Sequence, residues 1–139
     1  MRNMVSTGKA FENKIRSWHK DIDCITFKYP DHASSGTTQK AICDRVTITS
    51  NGVYWFECKH TESRTSFNLN LIKLHQWDIM IRLHNIHQEA YFLIEDGRHR
   101  VYMINATMLK VIGNDKKSIK FGDINFALVS KKRFQSILK

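Results

Sequence analysis

A glutamate and a lysine stand at the end of an otherwise apolar segment, Val53-Tyr-Trp-Phe-Glu-Cys-Lys59. Side chains alternate between the two faces of a β-strand, so Glu57 and Lys59 project from one face and Cys58 from the other. A carboxylate beside an ammonium at the end of a buried strand has two interpretations, a structural ion pair or part of a catalytic site. Taken alone, the pair favours the structural interpretation.

A second carboxylate, Asp44, lies in the preceding apolar segment, Ala41-Ile-Cys-Asp-Arg-Val46. Ser50-Asn51-Gly52 predicts a tight hairpin between the two segments, which brings Asp44 across from Glu57. Two carboxylates forced together share a proton or a metal ion, and hard oxygen ligands suit Mg²⁺ or Mn²⁺. With Lys59 adjacent, the set predicts phosphodiester hydrolysis: the metal lowers the pKa of a bound water, and the lysine orients that water or stabilises the transition state.

The spacing of these residues resembles a known nuclease superfamily. Asp44, followed after twelve residues by Glu57-Cys58-Lys59, is similar to the D…ExK core of PD-(D/E)XK nucleases. Further matches over roughly residues 8 to 95 resemble the RecU-like Holliday junction resolvases, and an archaeal resolvase of the Hjc type or a compact viral homologue fits as well. These matches are Gly8-Lys-Ala-Phe-Glu12, Lys28-Tyr29-Pro30, Glu57-Cys-Lys-His-Thr61 followed by Thr65-Ser66-Phe67, and His75-Gln76.

The resemblance implies a metal-dependent endonuclease that makes paired nicks in four-way DNA junctions as a homodimer. It implies a restriction-endonuclease-like fold, in which a mixed β-sheet is flanked by α-helices. Mg²⁺ is the implied cofactor, with Mn²⁺ as an alternative, and the implied ligands are Asp44, Glu57, the backbone carbonyl of Cys58 and Glu12. The implied catalytic residues are Glu12, Asp44, Glu57, Lys59 and Gln76. The loop from Asp31 to Lys40 is shorter than the region that forms a protruding stalk in that family, so engagement of the junction by a stalk is in question.

Gln76 stands out without any resemblance, because it falls on a helical apolar stripe with Ile72, Ile79 and Leu83. A polar group there needs a partner. Two alternatives remain open: a neighbouring backbone group satisfies the amide, or Gln76 faces the metal site.

The chain carries 22 Lys and Arg against 13 Asp and Glu, a net charge of +9 with pI near 9.6, which favours a nucleic-acid partner over a membrane. A solvated basic surface that binds nothing is the alternative. No histidine spacing is typical of a zinc site, and His19 and His60 are only guesses for general acids. The residues predicted to contact DNA are Lys9, Lys28, Lys40, Arg45, Thr61, Arg64, Ser66 and Lys73.

The order of predicted elements indicates an α/β or α+β fold in a single domain over residues 1–139. Apolar spacing predicts a first helix capped by Ser6 or Thr7, a long helix from Leu69 to about His87, and a short helix between Asn105 and Gly113. Strands are predicted over 24–29, 41–48, 53–59, 90–95 and 98–104, followed by a short strand and a terminal helix after residue 114.

The long predicted helix has a second apolar stripe, which belongs either to the core or to a dimer interface. This stripe contains Leu71, Leu74, Trp77 and Ile81. Three cysteines without a CxxC pair indicate reduced thiols, and no apolar segment is long enough for a signal peptide or a membrane span. We therefore expect a cytoplasmic protein acting on bacterial, archaeal or viral DNA, with no membrane partner.

Three functions remain open at this point. The first is junction resolution, the second is a restriction-like or repair endonuclease with the same core, and the third is a non-catalytic DNA-binding protein. Asp44, Glu57 and Lys59 together argue against the third, because a protein that only binds DNA needs none of them.

Overall fold

The computed structural model describes residues 7–29 and 43–139, and the predicted Asp31–Lys40 loop and Ser6 cap lie outside them. The helices in this part of the chain are α1 (Thr7–Trp18), α2 (Leu74–Asn85), α3 (Ala106–Gly113) and α4 (Lys131–Leu138). The strands are β1 (Ile25–Lys28), β2 (Arg45–Thr49), β3 (Gly52–His60), β4 (Ser66–Asn68), β5 (Glu89–Glu95), β6 (Val101–Ile104), β7 (Ser118–Lys120) and β8 (Leu128–Val129). Two 3₁₀ segments, Leu69–Leu71 and Phe121–Ala127, complete the order. None of the helices described here is long and apolar enough to cross a membrane.

Six strands form one mixed sheet in the order β1-β2-β3-β5-β6-β8, and β4 pairs with β7 in a separate small sheet. Only β3 and β5 run parallel among the pairs in the larger sheet, with Glu57 opposite Phe92 and His60 opposite Glu95. Such a parallel pair needs a crossover connection, which here contains β4 and α2. The prediction of a mixed sheet flanked by helices is confirmed.

The sheet is covered on both faces. Phe92, Met80 and Leu109 belong to the core shared with α2 and α3, whereas Phe56 and Phe134 belong to the core shared with α1 and α4. Alternation along β3 therefore turns Trp55, Glu57 and Lys59 towards α2, and turns Phe56, Cys58 and His60 towards α1. The end of one strand thus presents different polar groups to the two layers.

The β2–β3 hairpin is present, with a turn one residue earlier than expected. Thr49 pairs with Gly52, so Ser50 and Asn51 form the turn, and the Asn51 N–H donates to Thr49 Oγ1 at 3.0 Å. Within this turn, Gly52 has a positive φ of 141° and Asn51 does not. The Asn-Gly pair predicted the hairpin correctly but not its turn geometry.

The predicted helix from Leu69 to His87 was wrong at its first five residues. Asn68 accepts the Asn70 N–H and caps a single 3₁₀ turn, after which the chain is extended at Ile72 and α2 begins at Leu74. The contact of β4 with the β7 segment extends to Leu69, whose N–H donates to Lys117 O, and this contact holds the first residue of the predicted helix beside β7. The apolar spacing across residues 69–72 belongs to this extended connection rather than to a helix.

The predicted short helix after Asn105 is present as α3, and the Asn105 side chain caps it by accepting the Met108 N–H. The helix ends with Asn114 in the left-handed conformation rather than with a left-handed Gly113. A short strand and a terminal helix are present as predicted, and β8 adds a further strand at the edge of the main sheet.

Gly97 allows the β5–β6 turn to approach the segment that follows β3. Its N–H donates to Ser63 O at 2.8 Å, and a Cβ at this position would lie 2.0 Å from Glu62 O. Both close neighbours are backbone atoms, so no side-chain rotation relieves the contact. Gly97 therefore sets the position of the Thr61–Thr65 loop beside the end of β3.

We expect Gly97→Ala to lower the free energy of unfolding by about 3 kcal/mol, because the loop backbone must move to admit one methyl group. Urea unfolding followed by circular dichroism measures the effect. Gly122→Ala is the matched control, since a Cβ there meets nothing within 4 Å. Equal stability of both variants would contradict the close approach.

Candidate active site

The acidic cluster, formed by Asp44 and Glu57, lies where β3 extends beyond β2. Asp44 stands just before β2, and its backbone N–H donates to Phe56 O at 3.0 Å. Its carboxylate Oδ2 accepts the Cys58 N–H at 2.7 Å. Backbone hydrogen bonds on both sides of the hairpin thus place Asp44 next to the end of β3, where Glu57 projects.

Glu57 is almost completely buried, with 4% of its surface exposed. Lys59 lies on the same face of β3, with its Nζ 3.7 Å from Glu57 Oε2. The sequence-predicted trio of Asp44, Glu57 and Lys59 is therefore brought together at one strand end.

Burial first, and the charge of Asp44 second, raise the pKa of Glu57 to about 8, and the charge of Lys59 opposes this shift. Glu12 on α1 also contributes to the increase. The neighbouring Cys43 thiol has a pKa raised to about 12, by burial first and by the charge of Glu57 second. A carboxyl with this pKa needs a proton or a cation as its partner at neutral pH.

Gln76, in the first turn of α2, connects the helix to this cluster. Its Nε2 donates to Glu57 Oε2 at 2.9 Å, while its Oε1 accepts the Lys73 N–H at 3.0 Å. A neighbouring backbone group therefore satisfies one end of the amide, and the other end contacts the Glu57 carboxylate. The short 3₁₀ turn and the late start of α2 are what place the amide within reach of β3.

The donor set at the end of β3 fits a hard divalent cation. Two carboxylates lie beside each other, and the Cys58 carbonyl points to the same edge of β3 as the Cys58 N–H that Asp44 accepts. No group of three His, Cys, Asp or Glu side chains converges within residues 7–29 and 43–139. Two carboxylates and one carbonyl leave positions for water, which suits Mg²⁺ because this ion retains several waters.

Glu12 lies on the α1 side of the cluster and is half-buried. Its Oε1 is 3.6 Å from Lys28 Nζ, an exposed pair that contributes little stability. Its charge nevertheless helps to raise the pKa of both the Glu57 carboxyl and the Cys58 thiol. Glu12 is therefore near the two central carboxylates without joining them in a three-carboxylate group.

The residues predicted to contact DNA occupy several different environments. Lys9, Lys28, Arg64 and Lys73 are exposed, and Thr61 and Ser66 are half-buried in or beside the loop after β3. Lys40 lies outside the described residues.

Arg45 is buried and turned towards the α1 face, where its Nη1 donates to Thr26 Oγ1 at 3.1 Å. This placement favours a structural role for Arg45 over the predicted DNA contact.

Neither histidine guessed as a general acid faces the cluster. His19 is buried between Ile15 O and Thr47 Oγ1, both at 2.8 Å, and burial lowers its pKa. His60 projects to the α1 face, where Nδ1 and Glu95 Oε1 are 2.7 Å apart. These two positions correct the guess, because the sheet separates both rings from Glu57.

A polar network on that second face was not predicted from the sequence. Glu95, at the end of β5, binds His60 through one oxygen and Lys14 Nζ through the other, the latter at 2.8 Å. Lys14 also donates to His99 O at 2.8 Å. Glu95 ends a continuous apolar strand, and this is the signal that would have found it. The network anchors α1, and with it Glu12, to the ends of β3 and β5.

Comparisons with known proteins bear on the fold and the family of this chain. The structure is similar to that of Archaeoglobus fulgidus Hjc, described as a Holliday junction resolvase from an archaeal hyperthermophile. The TM-score is 0.62 at 11% sequence identity, and the match covers 94% of this chain and 97% of the Hjc chain. That likeness concerns the fold alone. No curated protein matches the sequence. The model of the family described as RecU, Recombination protein U, matches residues 7–139, so the resemblance is confirmed and the chain belongs to the RecU family.

Proposed function

We propose that this protein is a Holliday junction resolvase, a metal-dependent endodeoxyribonuclease that makes paired nicks in four-way junctions. The observation that carries the proposal is the convergence of Asp44 and Glu57 with Lys59 at the end of β3 in a member of the RecU family. The reaction is hydrolysis of a phosphodiester by water. We expect the protein to act on DNA in the cytoplasm.

The proposed cofactor is Mg²⁺, with Mn²⁺ as an alternative. Asp44, Glu57 and the Cys58 carbonyl would hold the ion, and Glu12 would support it from α1. When bound, the ion would lower the pKa of a water and neutralise the phosphate. A Glu57 carboxyl that is buried beside Asp44 supports this assignment, because a cation relieves the repulsion between the two groups.

Two other side chains have roles that follow from their contacts. Lys59 is mostly buried beside Glu57, so its ammonium is positioned to orient the attacking water or to stabilise charge that develops on the phosphate. Gln76 fixes the orientation of the Glu57 carboxylate, because its Nε2 donates to Glu57 Oε2 while its Oε1 accepts the Lys73 N–H.

Affinity for DNA comes mainly from the +9 charge, and the exposed basic residues near the cluster are the proposed phosphate contacts. Arg64 and the hydroxyls of Thr61 and Ser66 lie in or beside the loop that follows β3 directly. Lys73 lies at the start of α2, next to Gln76. Phosphates bound there would run along the edge of the sheet where the carboxylates converge.

Cleavage of a synthetic four-way junction, compared with linear duplexes of the same sequence, tests the proposal. We expect nicks in the junction with Mg²⁺ or Mn²⁺ and none with EDTA. Equal cutting of duplex and junction would indicate the alternative of a restriction-like or repair nuclease. Junction binding without cleavage under any metal condition would indicate a protein that only binds DNA.

We also propose a homodimer, since paired nicks need two active sites held by a twofold interface. The second stripe of the predicted long helix supports this only in part, because Trp77 and Ile81 pack against the core while Leu71 and Leu74 are exposed. The outer strand β1 offers a better surface.

Among the strands of residues 7–29 and 43–139, β1 forms one edge of the larger sheet, and large apolar side chains are exposed on its α2-facing side. The exposed fractions are 66% for Ile25, 43% for Phe27 and 39% for Ile48, which pairs with Ile25. An edge strand with an apolar face is a template for pairing with another chain. A second copy on β1 would also lie next to Asp44, whose carbonyl accepts the Tyr29 N–H just after this strand.

Sedimentation at micromolar concentration tests the assembly. We expect the wild type to sediment as a dimer and Phe27→Glu as a folded monomer that loses coordinated nicking of the two strands. Leu74→Glu, which places the same charge at an exposed leucine on α2, should remain a dimer. A monomeric wild type that still cuts both strands together would contradict the proposal.

A further inference from the structure

A cavity of about 540 Å³ opens between the first 3₁₀ segment, the start of α2 and the end of α3. One wall is apolar and includes Leu69, Ile72, Leu74 and Trp77. Cavities of this size are typical of small-molecule and cofactor sites. None of the site residues considered so far, apart from Lys73, lines it.

Trp77 and Leu74 give this wall the character of a stacking surface. The Trp77 ring is half-buried and meets the Phe92 ring edge-on, with centroids 5.4 Å apart. This contact with the core holds the indole in one orientation. Leu74 lies beside it in the first turn of α2 with 84% of its surface exposed. A fixed aromatic ring next to an exposed leucine suits a flat, partly apolar ligand.

The rim of the cavity is strongly positive. Lys73, Lys110 and Lys116 line it, against the single acid Asp115. All three lysines are exposed. Three ammonium groups around an apolar wall are complementary to a flat ligand that carries phosphates.

The cavity adjoins the acidic cluster. Lys73 lines it, and the backbone N–H of Lys73 donates to Gln76, which in turn donates to Glu57. A DNA strand whose phosphates follow Lys73 would therefore pass from the cavity to the carboxylates within one turn of α2.

We propose that the cavity binds one unstacked nucleotide of the DNA substrate, with its base against Trp77 and Leu74 and its phosphates at Lys73, Lys110 and Lys116. This inference rests on the proposed function, since it concerns the DNA on which the acidic cluster acts. Unstacking a base costs least where pairing or stacking is already disturbed, and the continuous stack of the duplex is interrupted at a branch point. The pocket therefore gives a means to distinguish a junction from linear DNA.

The charge of the rim argues against a second copy of the chain as the occupant. A twofold contact centred on this cavity would bring each set of three lysines towards its own copy. Like charges opposed across an interface are unfavourable. A polyanion removes this conflict and also covers the exposed Leu74.

Photocrosslinking tests the position of the base directly. Four-way junctions with 5-iododeoxyuridine at single branch-point positions are bound in EDTA, irradiated and digested with trypsin. Trypsin cuts after Lys73 and Arg82, so Trp77 lies in the peptide Leu74–Arg82. We expect a crosslink at Trp77 from at least one branch-point position and none from a linear duplex. Crosslinks confined to other peptides would overturn the pocket.

A pair of variants adds a quantitative test. Leu74→Glu should weaken junction binding about tenfold, because it removes the apolar contact and places a carboxylate beside the phosphates. Val111→Glu on α3 is the matched control, as it is an exposed apolar residue next to Lys110 that does not line the cavity. Equal weakening by both variants would overturn the pocket, because a general charge effect would then explain the loss. Conversion of the Leu74→Glu protein to a monomer would also overturn it, in favour of a second copy.

The binding assay separates this inference from the proposed function. Loss of any preference for junction over duplex in the wild type would contradict the resolvase proposal itself. A retained preference together with crosslinks outside Leu74–Arg82 would contradict the nucleotide pocket alone.

Discussion

We expect replacement of Asp44 by Asn, or of Glu57 by Gln, to abolish cleavage of four-way junctions while leaving junction binding near the wild-type level or tighter. The two carboxylates are the central donors of the proposed metal site, so cleavage should fall by at least about a thousandfold. Binding depends instead on the exposed basic residues and the net charge of +9, which removal of one carboxylate changes little. The loss should therefore appear in the rate of cleavage and not in the affinity.

Single-turnover cleavage with saturating protein, and gel-shift titrations in EDTA, measure the two quantities separately. Asp78→Asn is the matched control, because it removes one negative charge at an exposed position of α2. Lys59→Ala should resemble the carboxylate variants, as Lys59 is mostly buried beside Glu57 and has little surface for ground-state contacts with DNA. Cleavage by either carboxylate variant at ordinary Mg²⁺ would rule out the site.

Much of this site could be predicted from the sequence, because its geometry follows from local rules. Strand alternation places Glu57 and Lys59 on one face, and a short hairpin returns the chain so that Asp44 meets them. Neither step depends on contacts between distant segments. The fold class followed in the same way, from the order and type of the elements.

Features that depend on distant contacts were not predictable. The pairing of Phe67 with Ile119 turns residues 66–68 into a strand and delays α2 to Leu74, although the apolar spacing favours an earlier helix. The burial of Arg45 depends on the pairing of β1 with β2. A basic residue next to the proposed catalytic aspartate resembles a phosphate contact in sequence, and the pairing of the strands is what turns its side chain to the α1 face.

The buried state of Glu57 predicts an unusual effect of pH on stability. The pKa of this carboxyl is about 8 in the folded protein, against an ordinary value of 4.5. Between these values the folded protein retains a proton that the unfolded chain releases. The favourable contribution is therefore complete below pH 4.5 and is lost as the pH rises towards 8. Without metal, Glu57 should make the protein progressively less stable from about pH 5 to pH 9.

Glu57→Gln removes this titration and keeps a side chain of the same shape that can still accept from Gln76. We expect the metal-free variant to gain stability over the wild type as the pH rises, by roughly 3 kcal/mol at pH 9. Conversion of the whole pKa shift of Glu57 at about 1.4 kcal/mol per pKa unit gives an upper limit for this gain, since the site relaxes when the carboxyl ionises. Urea unfolding in EDTA at pH 5, 7 and 9 measures the difference between the two proteins, so that other titrating groups cancel. Asp78→Asn should follow the wild type at every pH.

Addition of Mg²⁺ at pH 8 should stabilise the wild type and not Glu57→Gln, because the cation relieves the same repulsion that the substitution removes. Parallel stability curves for Glu57→Gln and the wild type would show that Glu57 is ionised without cost in the folded protein.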